Sequence, residues 1–149
     1  MIAASDSHDS RPGRSAWGEY AGGLAGIWAP ELTRESVWQA LNAYRTYGTS
    51  LHRIYVEFTI DGQPMGSELD VDGAATIQAY AITKRDGLTV ELLRDNAVIA
   101  TRHGDAGHVA FTLRDAPGAG THPYYLRVSD ERGERAWSSP IWVTGSGAP

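Results

Sequence analysis

The sequence predicts a mainly β fold: an immunoglobulin-like β-sandwich preceded by a loop and one α-helix. Three observations predict it. From residue 53 to residue 143, apolar and polar residues alternate in twos, the period of a half-buried strand. Turn residues interrupt that alternation about every eight to twelve positions, dividing it into about seven or eight short strands. Before residue 50 the period is instead helical, at Val37, Leu41 and Tyr44, with Trp38 beside them.

Residues 1–4 form an apolar stub that suits the end of a buried strand. Residues 5–30 are rich in Gly, Ser, Pro and Arg, with Trp17, Tyr20 and Trp28 interleaved, and read as a long loop. Pro30 leads into Thr33, whose hydroxyl suits an N-cap, and Glu35 lies where the helix dipole favours an acid. Arg45 falls in the last turn and Gly48 beyond it, which predicts a helix from about 33 to about 46.

RIYVEFTI (53–60) places Ile54, Val56, Phe58 and Ile60 on one face, and DGQP (61–64) is a turn. MGSEL continues as a short strand. TIQAYAI (76–82) puts Ile77, Ala79 and Ala81 on one face and Tyr80 and Ile82 on the other. LTVELL (88–93) is joined to VIATRH by a tight RDNA hairpin. HVAFTLRD (108–115) alternates through Val109, Phe111 and Leu113, and APGAGTHP is a loop. YYLRVSD (124–130) and RAWSSPIWV (135–143) flank the DERGE hairpin, and GSGAP closes the chain as a flexible tail.

Composition narrows the function. The chain has 149 residues, a net charge of −5 with interspersed signs, and no cysteine. No basic stripe exists to neutralise phosphates, which argues against nucleic acid. Disulfides, thiolate catalysis and Cys-ligated zinc are excluded, while the compartment stays open. No apolar run approaches the ~20 residues that span a bilayer, and the first ten residues are too acidic for a signal peptide.

SDSHDSRPGR (5–14) holds the candidate chemistry. Residues i and i+2 at a strand end point to the same side, so Asp6 and His8 would converge on one point. A carboxylate and an imidazole suit Zn, Mn or Fe, although a metal site needs three or four ligands. Arg11 and Arg14 would suit an anionic substrate. On these residues alone, a solvated N-terminal segment is the plainer reading.

SDSHDSRPGR, GLAGIWAPELTRESVWQAL, RTYGTS, IDGQPMGSEL and AWSSPIWV, in that order, resemble the C-terminal part of the DUF3604 family. That family is similar to PHP-type metal-dependent phosphoesterases, whose α/β barrel carries a multinuclear metal site. The resemblance implies that Asp6 and His8 are the last metal motif, holding divalent Zn, Mn or Fe in the complete protein. It also implies a phosphorylated or other small-molecule substrate. Residues 1–50 would then be the end of the barrel, residues 51–144 an appended sandwich, and 145–149 a tail. The barrel's earlier His-x-His and acidic motifs are missing, so the resemblance implies a fragment, inactive alone, with Met1 as an internal or mis-called start. Ile2, Trp17, Leu24, Ile27 and Trp28 would lack barrel partners, and that exposed remnant would favour self-association. The other reading is a stand-alone β-sandwich binding or interaction module without metal.

The remaining features carry plainer explanations. His103 and His108 suit surface loops better than a second metal site. Trp137 and Trp142, five apart, would face opposite sides of an uninterrupted strand, one in the core, unless Pro140 marks a bulge. Glu57, Glu68 and Asp70 suit solvated strand faces better than a glycosidase pair. Ser138-Ser139 lacks a nucleophile elbow, and Gly22, Gly23 and Gly26 do not make a phosphate loop.

Overall fold

In the computed structural model the described residues are 1–5, 22–50 and 52–147. They form twelve strands in two sheets and one helix, a β-sandwich. The chain begins with β1 (Leu24–Ile27), α1 (Arg34–Asn42) and β2 (Thr46–Thr49). It continues with β3 (Tyr55–Ile60), β4 (Gln63–Pro64), β5 (Glu68–Val71), β6 (Ala75–Ile82) and β7 (Leu88–Arg94). It ends with β8 (Ala97–Gly104), β9 (His108–Asp115), β10 (Gly120–Asp130), β11 (Arg135–Ser138) and β12 (Ile141–Gly145).

The smaller sheet runs β4-β3-β6-β9, all antiparallel. Its two-residue β3–β4 turn holds Asp61 at φ 47° and Gly62 at φ 76°, the pair of left-handed residues a tight hairpin requires. Asp95 and Asn96, at φ 52° and 65°, build the β7–β8 turn in the same way. The alternation of β3 is realised: Val56, Phe58 and Ile60 are buried, as is Ile54 just before the strand. Ile77, Ala79 and Ala81 of β6 face the same core.

The larger sheet is organised on β10, its longest strand. One edge of β10 pairs with β7, which carries β8. The other edge pairs with β12 through residues 120–124 and with β11 through residues 127–129. Tyr124, Leu126 and Val128 turn inward and meet Leu88, Val90 and Leu92 of β7 and the smaller sheet's apolar face. β5 joins β12 in parallel, and β2 and β1 extend the sheet beyond β11.

Several elements differ from expectation, each through a non-local partner. The helix starts on its expected cap, where the Thr33 hydroxyl accepts from the Ser36 amide at 3.2 Å. It ends at Asn42, short of residue 46. Tyr44 sits at φ 52°, and Thr46–Thr49 is taken up as a strand between β1 and β11. Gly48 therefore lies inside a strand instead of stopping a helix. The helix also turns the other way: Ser36 and Ala40 are buried, while Val37 and Leu41 are half-buried and Trp38 and Tyr44 exposed. β1 lies inside the segment read as loop, and residues 1–4 are not a strand, with Met1 and Ile2 exposed.

β10 begins at Gly120, within the expected APGAGTHP loop. In the MGSEL segment, Met65 is core and the strand starts only at Glu68. RAWSSPIWV is two strands. Trp137 pairs with Arg127 and Ile141 with Tyr124, so the β11–β12 side holds one residue more than β10 between these points. The bulge falls at Ser139-Pro140, where proline has no amide for the ladder. There the Ser138 hydroxyl accepts from the Leu126 amide at 2.9 Å. The extra residue reverses the alternation. Trp137 and Trp142 therefore both turn away from the core, and neither fills it.

Candidate functional site

Asp6, His8, Arg11 and Arg14 lie outside the described residues, as do Trp17 and Tyr20. What the structure defines is the pair of flanks. Met1–Ser5 runs across the outer face of the larger sheet beside β2. The Met1 amine bonds the Ser139 hydroxyl, and Thr46 Oγ1 donates to the Met1 carbonyl at 2.6 Å. Burial lowers the pKa of that amine. The Ala4 carbonyl accepts from the Gly23 amide at 2.8 Å.

This close approach requires glycine. A Cβ on Gly23 would sit 2.7 Å from the Ala3 methyl, and one on Gly22 would sit 2.3 Å from Ser5 Cα. Ser5 and Gly22 are therefore in contact. The chain leaves for residues 6–21 and returns from them at neighbouring points beside Thr49. The glycines that make no phosphate loop have a packing role instead.

Next to these flanks lies a polar cluster that the sequence did not single out. Ser50 follows β2, and its hydroxyl accepts from the Arg135 amide at 2.9 Å and donates to the Glu134 carboxylate. Glu134 Oε1 lies 3.6 Å from His52 Nε2. The Arg85 guanidinium reaches the His52 ring and lies 3.3 Å from Asp130 Oδ2. The Asp130 carboxylate is fully buried, and its Oδ1 accepts from the amides of Arg132 at 2.9 Å and Glu134 at 3.0 Å. Asp130 thus fastens the β10–β11 turn, and both acids here already have partners: Arg85 and two amides for Asp130, the Ser50 hydroxyl and the His52 ring for Glu134. The one legible hint was the DERGE turn, since an Asp two residues before a turn amide is a common local acceptor.

Shallow grooves flank the cluster, two of them of similar size. One, of about 450 Å³, is lined by Glu91, Arg127, Asp130 and Arg135 among others. Arg127 Nε donates to Glu91 at 2.6 Å and holds that carboxyl below the usual range. The other, also about 450 Å³, lies along β1 and is lined by Leu24, Gly26, Tyr47, Ile54 and Tyr55. Burial pushes the Tyr47 phenol up, and a bond from the Val56 backbone amide opposes the shift. Neither groove joins a nucleophile to a base.

Among the described residues, no group of three or more His, Asp or Glu side chains is placed to hold a metal ion. His103 and His108 lie in β8 and β9, strands of different sheets. Glu57 is exposed on the smaller sheet, whereas Glu68 and Asp70 are exposed on the larger. They form no carboxylate pair. Ser138 and Ser139 are buried and engaged in backbone and N-terminal hydrogen bonds.

Comparison with known proteins adds ancestry. Residues 1–83 match the model of a family described as "Protein of unknown function (DUF3604)". That stretch contains both flanks, α1 and the strands through β6. An uncharacterised protein of Chlamydia trachomatis serovar D is 33% identical over 143 residues, covering 84% of this chain and 23% of the relative. An uncharacterised protein of Chlamydia pneumoniae is 33% identical over 147 residues, with the same two coverages. The chain therefore spans about a quarter of the length of these relatives. With more than half of its residues inside the family match, the chain belongs to the DUF3604 family.

Proposed function

We propose that the chain is the carboxy-terminal portion of a longer PHP-like, metal-dependent hydrolase of the phosphoesterase class. In this reading Asp6 and His8 supply two metal ligands of the complete protein. The observation that carries it is the anchoring of Ser5. The residue before Asp6 packs on Gly22 at the end of a segment bonded to Gly23, just before β1, and to Thr46 of β2, so the Asp-x-His stretch starts from a fixed base. Such a base lowers the ordering cost of holding ligands in place.

The described residues do not complete a metal site. The other ligands would come from the part of the longer protein that this chain does not span. When bound, such an ion would generate hydroxide from water and polarise a phosphate ester. Arg11 and Arg14 are the weaker part of the assignment: their guanidinium groups would pair with phosphate oxygens. The 149-residue chain alone is expected to be inactive.

Calorimetric titration of the chain with Mn²⁺ and Zn²⁺, beside an Asp6→Ala/His8→Ala variant, tests the ligand assignment. Binding that disappears in the variant supports it; equal binding, or none, in both proteins removes it. The reaction class is tested on the full-length Chlamydia trachomatis relative with p-nitrophenyl phosphate mono- and diesters. Turnover that EDTA abolishes is expected, and no turnover with either ester sinks the phosphoesterase reading.

One observation favours a second reading, a β-sandwich interaction module without metal. The core cluster between the two sheets runs from Ile54 to Val143, within the stretch read as the appended sandwich. Metal-independent folding of the chain, with no metal binding, is what this reading expects.

A further inference from the structure

We infer that α1 and the adjoining outer face of the larger sheet form the seat for the part of the longer family protein that this chain does not span. The inference rests on family membership, on coverage and on the proposed carboxy-terminal placement of this chain, not on the hydrolase chemistry.

The first observation is the orientation of α1. An amphipathic helix normally lays its apolar stripe on the core. Here Ser36 and Ala40 are the residues buried against the sheet, and the apolar stripe of Val37, Leu41 and Trp38 looks sideways and outward. Trp38 is two residues from each buried position, which places it nearly opposite them on the helix. It is 62% exposed, and Leu32, just before the cap, is 98% exposed. Large apolar groups left in water on a stripe cost free energy unless something covers them.

The second observation is continuity. Tyr44, 59% exposed at the end of α1, packs edge-on to Trp142 with ring centroids 6.3 Å apart. Ile27 is the register partner of Thr46, and Thr46 bonds the Met1 carbonyl. Met1 and Ile27 are themselves exposed. Exposed apolar side chains thus recur from α1 to the outer face of the sheet and the first residue. Of the residues named here, Trp142 lies outside the stretch matched by the family and the others within it.

The third observation selects the occupant. The relatives extend far beyond the matched region, which is 23% of their length. In a longer family member, residues preceding position 1 would emerge beside Thr46 and Ser139, on this same face. A segment tethered there has a high effective concentration at the surface, so docking needs little intrinsic affinity.

Hydroxyl-radical footprinting tests the inference on the 149-residue chain and on the full-length Chlamydia trachomatis relative. Labelling of peptides matched to α1 and its flanks is read against peptides of the smaller sheet. Several-fold faster labelling of α1 in the short chain, suppressed in the full-length protein, is the expected result. Equal relative labelling in both proteins overturns the inference. Sedimentation of the short chain and of its Leu32→Glu/Trp38→Glu variant separates the rival occupant. Monomers in both cases agree with the inference. A dimer that the double substitution dissolves would assign the face to a second copy instead. Both residues are exposed, so the variant is expected to keep the fold. Failure of metal binding would leave these outcomes unchanged.

Discussion

Tyr124 shows how this sandwich tolerates a polar group in its core. Its ring is buried at the centre of β10, and its hydroxyl donates to Asp115 Oδ2 at 2.6 Å. Arg94 donates to the same oxygen at 2.8 Å, so the carboxylate keeps a cationic partner. Burial, reinforced by Asp115, pushes the phenol well above its ordinary range. Tyr124→Phe should cost about 1–2 kcal/mol, read as a shift in urea midpoint, because one bond to a charged acceptor is lost while Arg94 still holds Asp115. The pH dependence follows from the same shift. The unfolded phenol ionises near pH ~10 while the folded one stays protonated, so the native state binds more protons there. Stability from Tyr124 is present in full below that pH and falls as pH rises above it. A denaturation series from about pH 8 to about pH 11, bracketing that ionisation, should show the loss in the parent chain and a smaller one in Tyr124→Phe. Equal slopes would sink the assignment.

α1 is nearly decoupled from the core. Thr33 caps it, and Gln39 Nε2 donates to Glu35 Oε1 at 2.7 Å on its exposed side. Only Ser36 and Ala40 are buried. Thr33→Ala should therefore weaken the helix by about 1 kcal/mol. That should speed hydrogen exchange of the α1 amides about fivefold while the global urea midpoint barely moves, since such openings are sub-global. A matching fall in the global midpoint would show instead that α1 unfolds with the sandwich. β1 and β2 behave differently, because each extends the larger sheet by strand pairing. A short helix inserted between two paired strands explains why local periodicity ran the helix past its end. Tyr47 and Thr49 had to serve the sheet, and strand pairing with β11 outweighs a few residues of helical propensity.

The two sheets share one core, so their stabilities should move together. Phe58 is 1% exposed, on β3 of the smaller sheet, and packs in the cluster that holds Leu126 and Val128 of the larger. Phe58→Ala should cost about 3–5 kcal/mol, through lost burial and the cavity left behind. Far-UV circular dichroism and tryptophan fluorescence should then report a single, earlier urea transition. Two separated transitions would mean that the sheets unfold independently. Family membership rests on residues 1–83, and that stretch already contributes strands to both sheets. Most of the apolar outer surface belongs to the same stretch, so the face to be covered and the family match coincide along the chain.

What the sequence by itself determined is which residues of β3 and β6 face inward. Ile54, Val56, Phe58 and Ile60, and likewise Ile77, Ala79 and Ala81, could be read off because the period of two is a local property of the pleated backbone. The Asp61-Gly62 and Asp95-Asn96 hairpins and the Thr33 cap were legible for the same reason: a turn or cap is set by the residues within it. The chemistry of Asp6 and His8 was legible only as residue types in a spacing, since their partners are not neighbours in sequence. Tertiary structure alone decided that β11 and β12 split at Ser139-Pro140, sending both Trp137 and Trp142 outward. It alone drew Thr46–Thr49 into the larger sheet, turned the apolar stripe of α1 from the core, and joined Ser50, His52, Arg85, Asp130 and Glu134 at one end. The physical reason is one of range. Those outcomes depend on bonds and packing between residues many positions apart, whose pairing no local period records.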